Sequence, residues 1–277
     1  MAITLNRPLY KTDTQRAWEL DYFRGALVIV MIFGHFLYTL SAFAQAWRAD
    51  VHFAIIRSEI SRFWASGEIK VVRAIVVCGF FFIAGISSSF SKSNFLRGFK
   101  VLLFGVLTGY VAGFVGLKIS FGVLHSLGLT MMIYGLMRSL SKFMPGFIIL
   151  GFAIIAAGVI IKAEGVYDIA LRKVYGGLPD GIGNSLDNVL HIMSIPMHPS
   201  SDYYPLIPWS GTFYIGAALG TLLYADRRSL MPALERPCFK VAEFFGRHAF
   251  AVYLTHQVVL YGLFTAYAYI KGLPLPF

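Results

Sequence analysis

Residues 25–44 read GALVIVMIFGHFLYTLSAFA, an unbroken run of twenty positions without a charge. A helix of about 20 such residues is long enough to cross the hydrocarbon core of a bilayer. Six further runs are comparably apolar, two of them broken by a single charge at Arg73 or Lys100: Val71–Phe90, Gly98–Gly116, Phe121–Leu136, Pro145–Ile161, Pro205–Tyr224 and Ala249–Ile270. The chain of 277 residues is 57% hydrophobic and only 14% charged, with a mean hydropathy of +0.67. Soluble domains carry roughly 25% charged residues. The expected fold class is therefore all-α, a polytopic transmembrane helical bundle of seven spans forming one domain over residues 1–277.

The charges cluster between the apolar runs. Lys and Arg exceed Asp and Glu by 10, but basic loops in such a chain are explained by topology and anionic lipid, so no nucleic-acid partner is expected. Placing the N-terminus in the cytoplasm puts about 14 of the 24 basic residues in inside segments, which predicts a cytoplasmic N-terminus and an outside C-terminus. No apolar signal-peptide core precedes the first run, so that run is expected to stay as an anchor. Cys78 falls in an apolar run and Cys238 in a basic loop, at different depths, so no disulfide is expected. No Cys/His spacing suggests a metal.

Two outside loops are long. Residues 45–70 mix charge with Trp47, Phe53, Phe63 and Trp64, the pattern of an interfacial amphipathic helix. Residues 162–204 carry Gly176, Gly177, Pro179, Pro196 and Pro199, and suit either a lid or a plain connector.

Polar groups inside spans are costly and mark function by default. Asp21 and Arg24 share a face at the start of the first span. His35 lies eleven residues on, about 16 Å deeper and on the same face as Arg24. The last span repeats the layout, with Arg247 and His248 at its start and His256 with Gln257 about 14 Å in. Two helix N-termini supplemented by arginines suit phosphates, and a buried imidazole suits a general base. A helix-bonding histidine and ordinary positive-inside arginines would give the same spacings. His125 sits one turn into the fourth span. Asp202, Tyr203 and Trp209 precede or open the sixth, either as a sugar-binding rim or as interfacial anchors. Solute transport and a non-catalytic scaffold remain open on these residues, although internal repeats, usual in transporters, are absent.

Five segments in order extend the reading. They are Leu20-Asp21-Tyr22-Phe23-Arg24-Gly25 with Met31 and His35, Phe80–Ser87, Phe121-Gly122-Val123-Leu124-His125, Tyr204-Pro205-Leu206-Ile207-Pro208-Trp209, and Gly246–Gln257. Together, over about residues 16 to 262, they resemble the bacterial relatives of heparan-alpha-glucosaminide N-acetyltransferase, within the transmembrane acyltransferase superfamily. The superfamily's Arg-to-His motif falls on Arg24 and His35. The resemblance implies transfer of an acetyl group from cytoplasmic acetyl-CoA to a sugar or glycan on the far side of a prokaryotic inner membrane. It implies His35 as catalytic residue, with His256 or His125 orienting it or the acceptor. Arg24, Arg247 and His248 would hold the CoA phosphates, and Asp202, Tyr203 and Trp209 the acceptor. No metal is called for. The chain is shorter than the lysosomal enzyme, and the acceptor does not carry over. Homo-oligomers are compatible with all of this.

Overall fold

The structure, a computed structural model, describes residues 17–114, 116–140, 144–163, 180–195, 198, 200, 202–225 and 228–276. Every regular element among them is helical. In chain order these are α1 (Trp18–Ala46), α2 (Val51–Ala65), α3 (Gly67–Ser88), α4 (Asn94–Gly113), α5 (Val123–Leu140), α6 (Met144–Ala163), α7 (Asp180–Met193), α8 (Leu206–Leu223), α9 (Lys240–Arg247) and α10 (Ala249–Lys271). The bundle is a helical membrane protein. Five of its helices, α1, α3, α4, α8 and α10, are long and apolar enough to cross a bilayer, and Pro145–Ile161 in α6 is a shorter apolar stretch. Exposed Phe, Leu, Ile and Val side chains such as Phe33, Ile75, Leu103, Ile149 and Leu263 cover their outer faces.

Local chemistry sets the helix boundaries. The Asp50 carboxylate accepts the His52 N–H and starts α2. The Ser66 hydroxyl accepts the Ile69 N–H, so the chain turns there and restarts as α3, four residues before the apolar run. Ser93 caps α4 by accepting from Leu96 N–H. α10 ends on Gly272 at φ 64°, a left-handed stop that a side chain would strain. The loop expected to hold an interfacial helix does contain a helix, α2, with Phe53 packed 4.9 Å from Trp47. Residues 180–193 form α7, glycines 181 and 183 included, while Gly176, Gly177, Pro179, Pro196 and Pro199 lie outside the described residues. The short helix α9 stands where the sequence suggests a basic loop.

Helices in lipid gain little from hydrophobic segregation and associate by close van der Waals contact through small residues. Four crossings follow that rule. α1 meets α9 at Gly25 and Gly246, where a methyl group would collide with the carbonyls of Ala242 and Asp21. α3 meets α8 at Gly85 and Gly216, α4 meets α5 at Gly98 and Gly128, and α6 meets α8 at Gly151 and Gly211. Between α3, α5, α6 and α8 lies the main core, which includes Phe81, Met131, Tyr134, Phe147 and Phe213. A second cluster, Phe43, Trp47 and Ala268, joins α1 to α10.

α1 and α10 run parallel: His35 meets His256, Phe43 meets Phe264, and Trp47 meets Tyr267. The starts of α1, α4 and α10 and the end of α3 share one end of the bundle. The starts of α3, α5 and α8 gather at the other, where Trp47 Nε1–H also donates to the Pro274 carbonyl at 2.8 Å.

Candidate functional site: a histidine pair between two charged ends

At the first end, the starts of α1, α4 and α10 and the end of α3 enclose a cavity of about 430 Å³. Its walls include Asp21, Arg24, Ser87, Arg97, Gly246 and Arg247. Arg24 is fixed on three sides: one nitrogen donates to Asp21 Oδ1 at 2.9 Å and to the Gly246 carbonyl at 3.4 Å, the other to Ser87 Oγ at 2.7 Å. Arg97 donates to the Ser87 carbonyl at 3.4 Å. Arg247 is held by buried Glu243 at 3.0 Å and lies 3.8 Å from Asp21 Oδ2. Three guanidinium groups thus face one lining carboxylate, beside the first turns of α1 and α10. Net positive charge at helix N-termini is the chemistry that holds phosphates. Arg97 and Ser87 were not among the residues singled out from sequence. Arg97 reads there as one more loop charge, and Ser87 as a small packing residue. His248 does not line the cavity; it is exposed, and its Nδ1 bonds the Phe244 carbonyl at 2.9 Å, closing α9.

Along α1, about 16 Å from Arg24, His35 meets His256 of α10. The Nδ1 of His35 and the Nε2 of His256 are 2.7 Å apart. The hydrogen bonds assign the proton positions. His256 Nδ1 lies 2.8 Å from the Tyr253 carbonyl and 3.2 Å from that of Val252, so it must carry a hydrogen. Neutral His256 then presents a bare Nε2, which accepts from His35 Nδ1–H. His35 Nε2 is left as a lone-pair acceptor, the form a general base needs. One turn on, Gln257 Nε2 donates to Thr39 Oγ1 at 3.1 Å and braces the same pair of helices.

The second end approaches this pair through Arg73, about 21 Å along α3 from Ser87. Arg73 interacts electrostatically with His35 and with Asp202. Its guanidinium lies 5.3 Å over the Trp64 ring and donates to the Tyr204 hydroxyl at 3.5 Å. Asp202 Oδ2 accepts the Val123 N–H at 3.4 Å. Burial raises the Asp202 carboxyl to about 6, against the lowering pull of that N–H and of Arg73. Burial and the Asp202 charge likewise push the Tyr204 phenol up.

The other sequence candidates go elsewhere. His125 Nδ1 accepts the Gly122 N–H at 3.2 Å and packs against Phe121, so it closes the start of α5; no bond to His35 or His256 exists among the described residues. Tyr203 donates to the His191 carbonyl at 2.7 Å, stacking on a ring whose pKa burial lowers. Trp209 packs edge-on against Tyr204. The tyrosine that meets the arginine is thus Tyr204, one residue from the one expected. Among the described residues, no group of three or more His, Cys, Asp or Glu is placed to hold a metal ion.

A protein-family model described as the catalytic region of heparan-alpha-glucosaminide N-acetyltransferase matches residues 16–258, an interval that contains every residue of both ends and the histidine pair. No match was found among curated proteins or among solved structures.

Proposed function

The chain belongs to the heparan-alpha-glucosaminide N-acetyltransferase catalytic family, and from that premise we propose that it moves an acetyl group from cytoplasmic acetyl-CoA to a sugar or glycan acceptor across a prokaryotic inner membrane, with His35 as general base. The family is one of transmembrane acetyltransferases, which agrees with the five long apolar helices. The observation that carries the reading is the His35–His256 bond, which supports the tautomer with His35 Nε2 free to accept a proton.

In this reading Arg24, Arg97 and Arg247 bind the phosphates of the donor, and the thioester arm extends along α1 toward His35. The acceptor enters from the opposite end, past Arg73, Asp202 and Tyr204. His35 Nε2 takes the proton of the acceptor's amine or hydroxyl as that group attacks the thioester carbonyl. His256 Nε2, accepting from His35 Nδ1, steadies the imidazolium. When the C–S bond breaks, the proton passes from His35 to the departing thiolate. His256 is a positioning residue, and His125 positions the start of α5. Seven spans, a cytoplasmic N-terminus and an outside C-terminus complete the reading.

The test uses purified protein in nanodiscs with radiolabelled acetyl-CoA and a panel of amino sugars and glycans. Label should move to an acceptor. His35→Ala should keep donor affinity, measured by calorimetry, and lose at least about 100-fold in turnover, the low end of general-base contributions. Full turnover in His35→Ala would remove His35 from the mechanism.

A further inference from the structure

We propose that Arg73, stacked on Trp64, is an anion anchor for the acceptor, so that the molecule acylated carries a carboxylate or phosphate near its reacting group. This rests on the acyltransfer reading above for the identity of the reaction, but not for the anchor itself.

Arg73 lies about 9 Å along α3 from Gly67, inside a helix apolar enough to cross the membrane. A cation in such a position is expensive and calls for a partner. Among the described residues it has no ion pair within 4.0 Å. Asp202, the carboxylate it senses, spends an oxygen on the Val123 N–H, and the bond to Tyr204 is long at 3.5 Å. The Arg73 side chain is exposed. The guanidinium carbon lies over the Trp64 ring, and a guanidinium presents its N–H donors as a fork that matches carboxylate or phosphate. Trp64 contributes more than a platform. Its Cη2 lies 3.5 Å from where a Cβ of Gly34 would be, beside His35, and its Nε1–H is buried without a hydrogen-bond partner among the described residues. A charged fork that acts electrostatically on His35 and an unused donor on the ring beside Gly34 therefore lie at the opposite end from the phosphate-binding arginines. A neutral acceptor could take the Nε1–H through a hydroxyl but would leave the Arg73 charge without a counter-ion.

The experiment pairs each acidic sugar with its neutral counterpart: glucuronate and glucose 1-phosphate against glucose, and glucosamine 6-phosphate against glucosamine. Wild type, Arg73→Gln and Arg73→Lys are compared in nanodiscs by calorimetric binding and by acetyl transfer. Acidic sugars should bind wild type at least about 10-fold more tightly than neutral ones, the scale of a charge-assisted bond. Arg73→Gln should abolish that preference while acetyl-CoA affinity is unchanged, and Arg73→Lys should restore it in part. Glucuronate against the phosphates tells which anion fits. Equal binding of acidic and neutral sugars by wild type, or an acid preference that survives in Arg73→Gln, overturns the anchor. If acids bind through Arg73 while no sugar is acetylated, the anchor stands and the acyltransfer reading falls.

Discussion

Removing His256 leaves His35 its basic nitrogen but takes away the acceptor that holds the ring in orientation. His256→Ala should therefore lower kcat by about 10-fold, well short of the 10²–10⁴ range open to a base, and leave the KM for donor unchanged. A structural role alone would not move the pH profile. Loss of the His35 Nδ1–H bond should shift the acidic limb of kcat, and His256→Gln, whose amide oxygen can accept from His35, should return part of it. An unshifted limb in His256→Ala would separate the two histidines functionally. Asp202 gives a second pH-dependent outcome. Its folded pKa, about 6, lies above the ordinary carboxylate value of 3.8, so the folded state favours the protonated form. That contribution is present below about 4 and lost as pH rises through 6. Asp202→Asn keeps an oxygen for the Val123 N–H and cannot ionise. It should raise Tm relative to wild type at pH 7.5, and the gain should shrink toward pH 4.5. A gain independent of pH would show that the charge is not what costs stability.

The helix crossings carry a prediction of their own. At Gly25 and Gly246 the obstacle to a methyl group is backbone, so no rotamer change relieves it. Gly246→Ala should separate α9 from α1, with a cost of about 1–3 kcal/mol by analogy with overpacked cores. It should also weaken acetyl-CoA binding, because the Gly246 carbonyl and Asp21 both hold Arg24. Gly262→Ala, where nothing lies within 4 Å of the added carbon, is the control. Unfolding in detergent and calorimetry read the two effects, and equal behaviour of both variants would refute the crossing. The elements themselves were legible in the sequence wherever an apolar run exceeds a bilayer's thickness, and the aligned Arg24 and His35 followed from helical period alone. His256 was placed at its depth by the same arithmetic. What local pattern could not give was convergence. Ser87 of α3 accepts from both Arg24 and, through its carbonyl, Arg97 of α4, and nothing in their own neighbourhoods announces it. Tyr203 and Tyr204 are equivalent as sequence, and only the fold shows that Tyr204 turns to Arg73 and Tyr203 to the His191 carbonyl. Arg73 lies within the second apolar run, where an arginine is itself a signal. α9 was hidden because eight residues with three charges do not resemble a membrane helix.

At the scale of the molecule, the two charged ends differ in what they are built to meet. One concentrates three arginines and three helix starts around a cavity of about 430 Å³. The other offers one stacked arginine, a carboxyl titrating near neutrality and tyrosines. Only the first has the multiplicity of cations that a phosphate-rich donor demands. A donor made in the cytoplasm requires that end to face inward, which agrees with the excess of Lys and Arg in the segments there. Cys238 provides a direct reading of the orientation. It is exposed in the 3-10 turn Pro237–Phe239 leading into α9, at the arginine end, whereas Cys78 lies within α3. A membrane-impermeant maleimide should label Cys238 in inverted vesicles and leave it unmodified in intact cells, with Cys238→Ser as the blank. A reporter fused after Phe277 should be active outside, because α10 begins at the arginine end and finishes at the other. Labelling of Cys238 from outside would turn the arginine cavity away from the acetyl-CoA pool. The three arginines would then need another ligand, and the acyl donor another door.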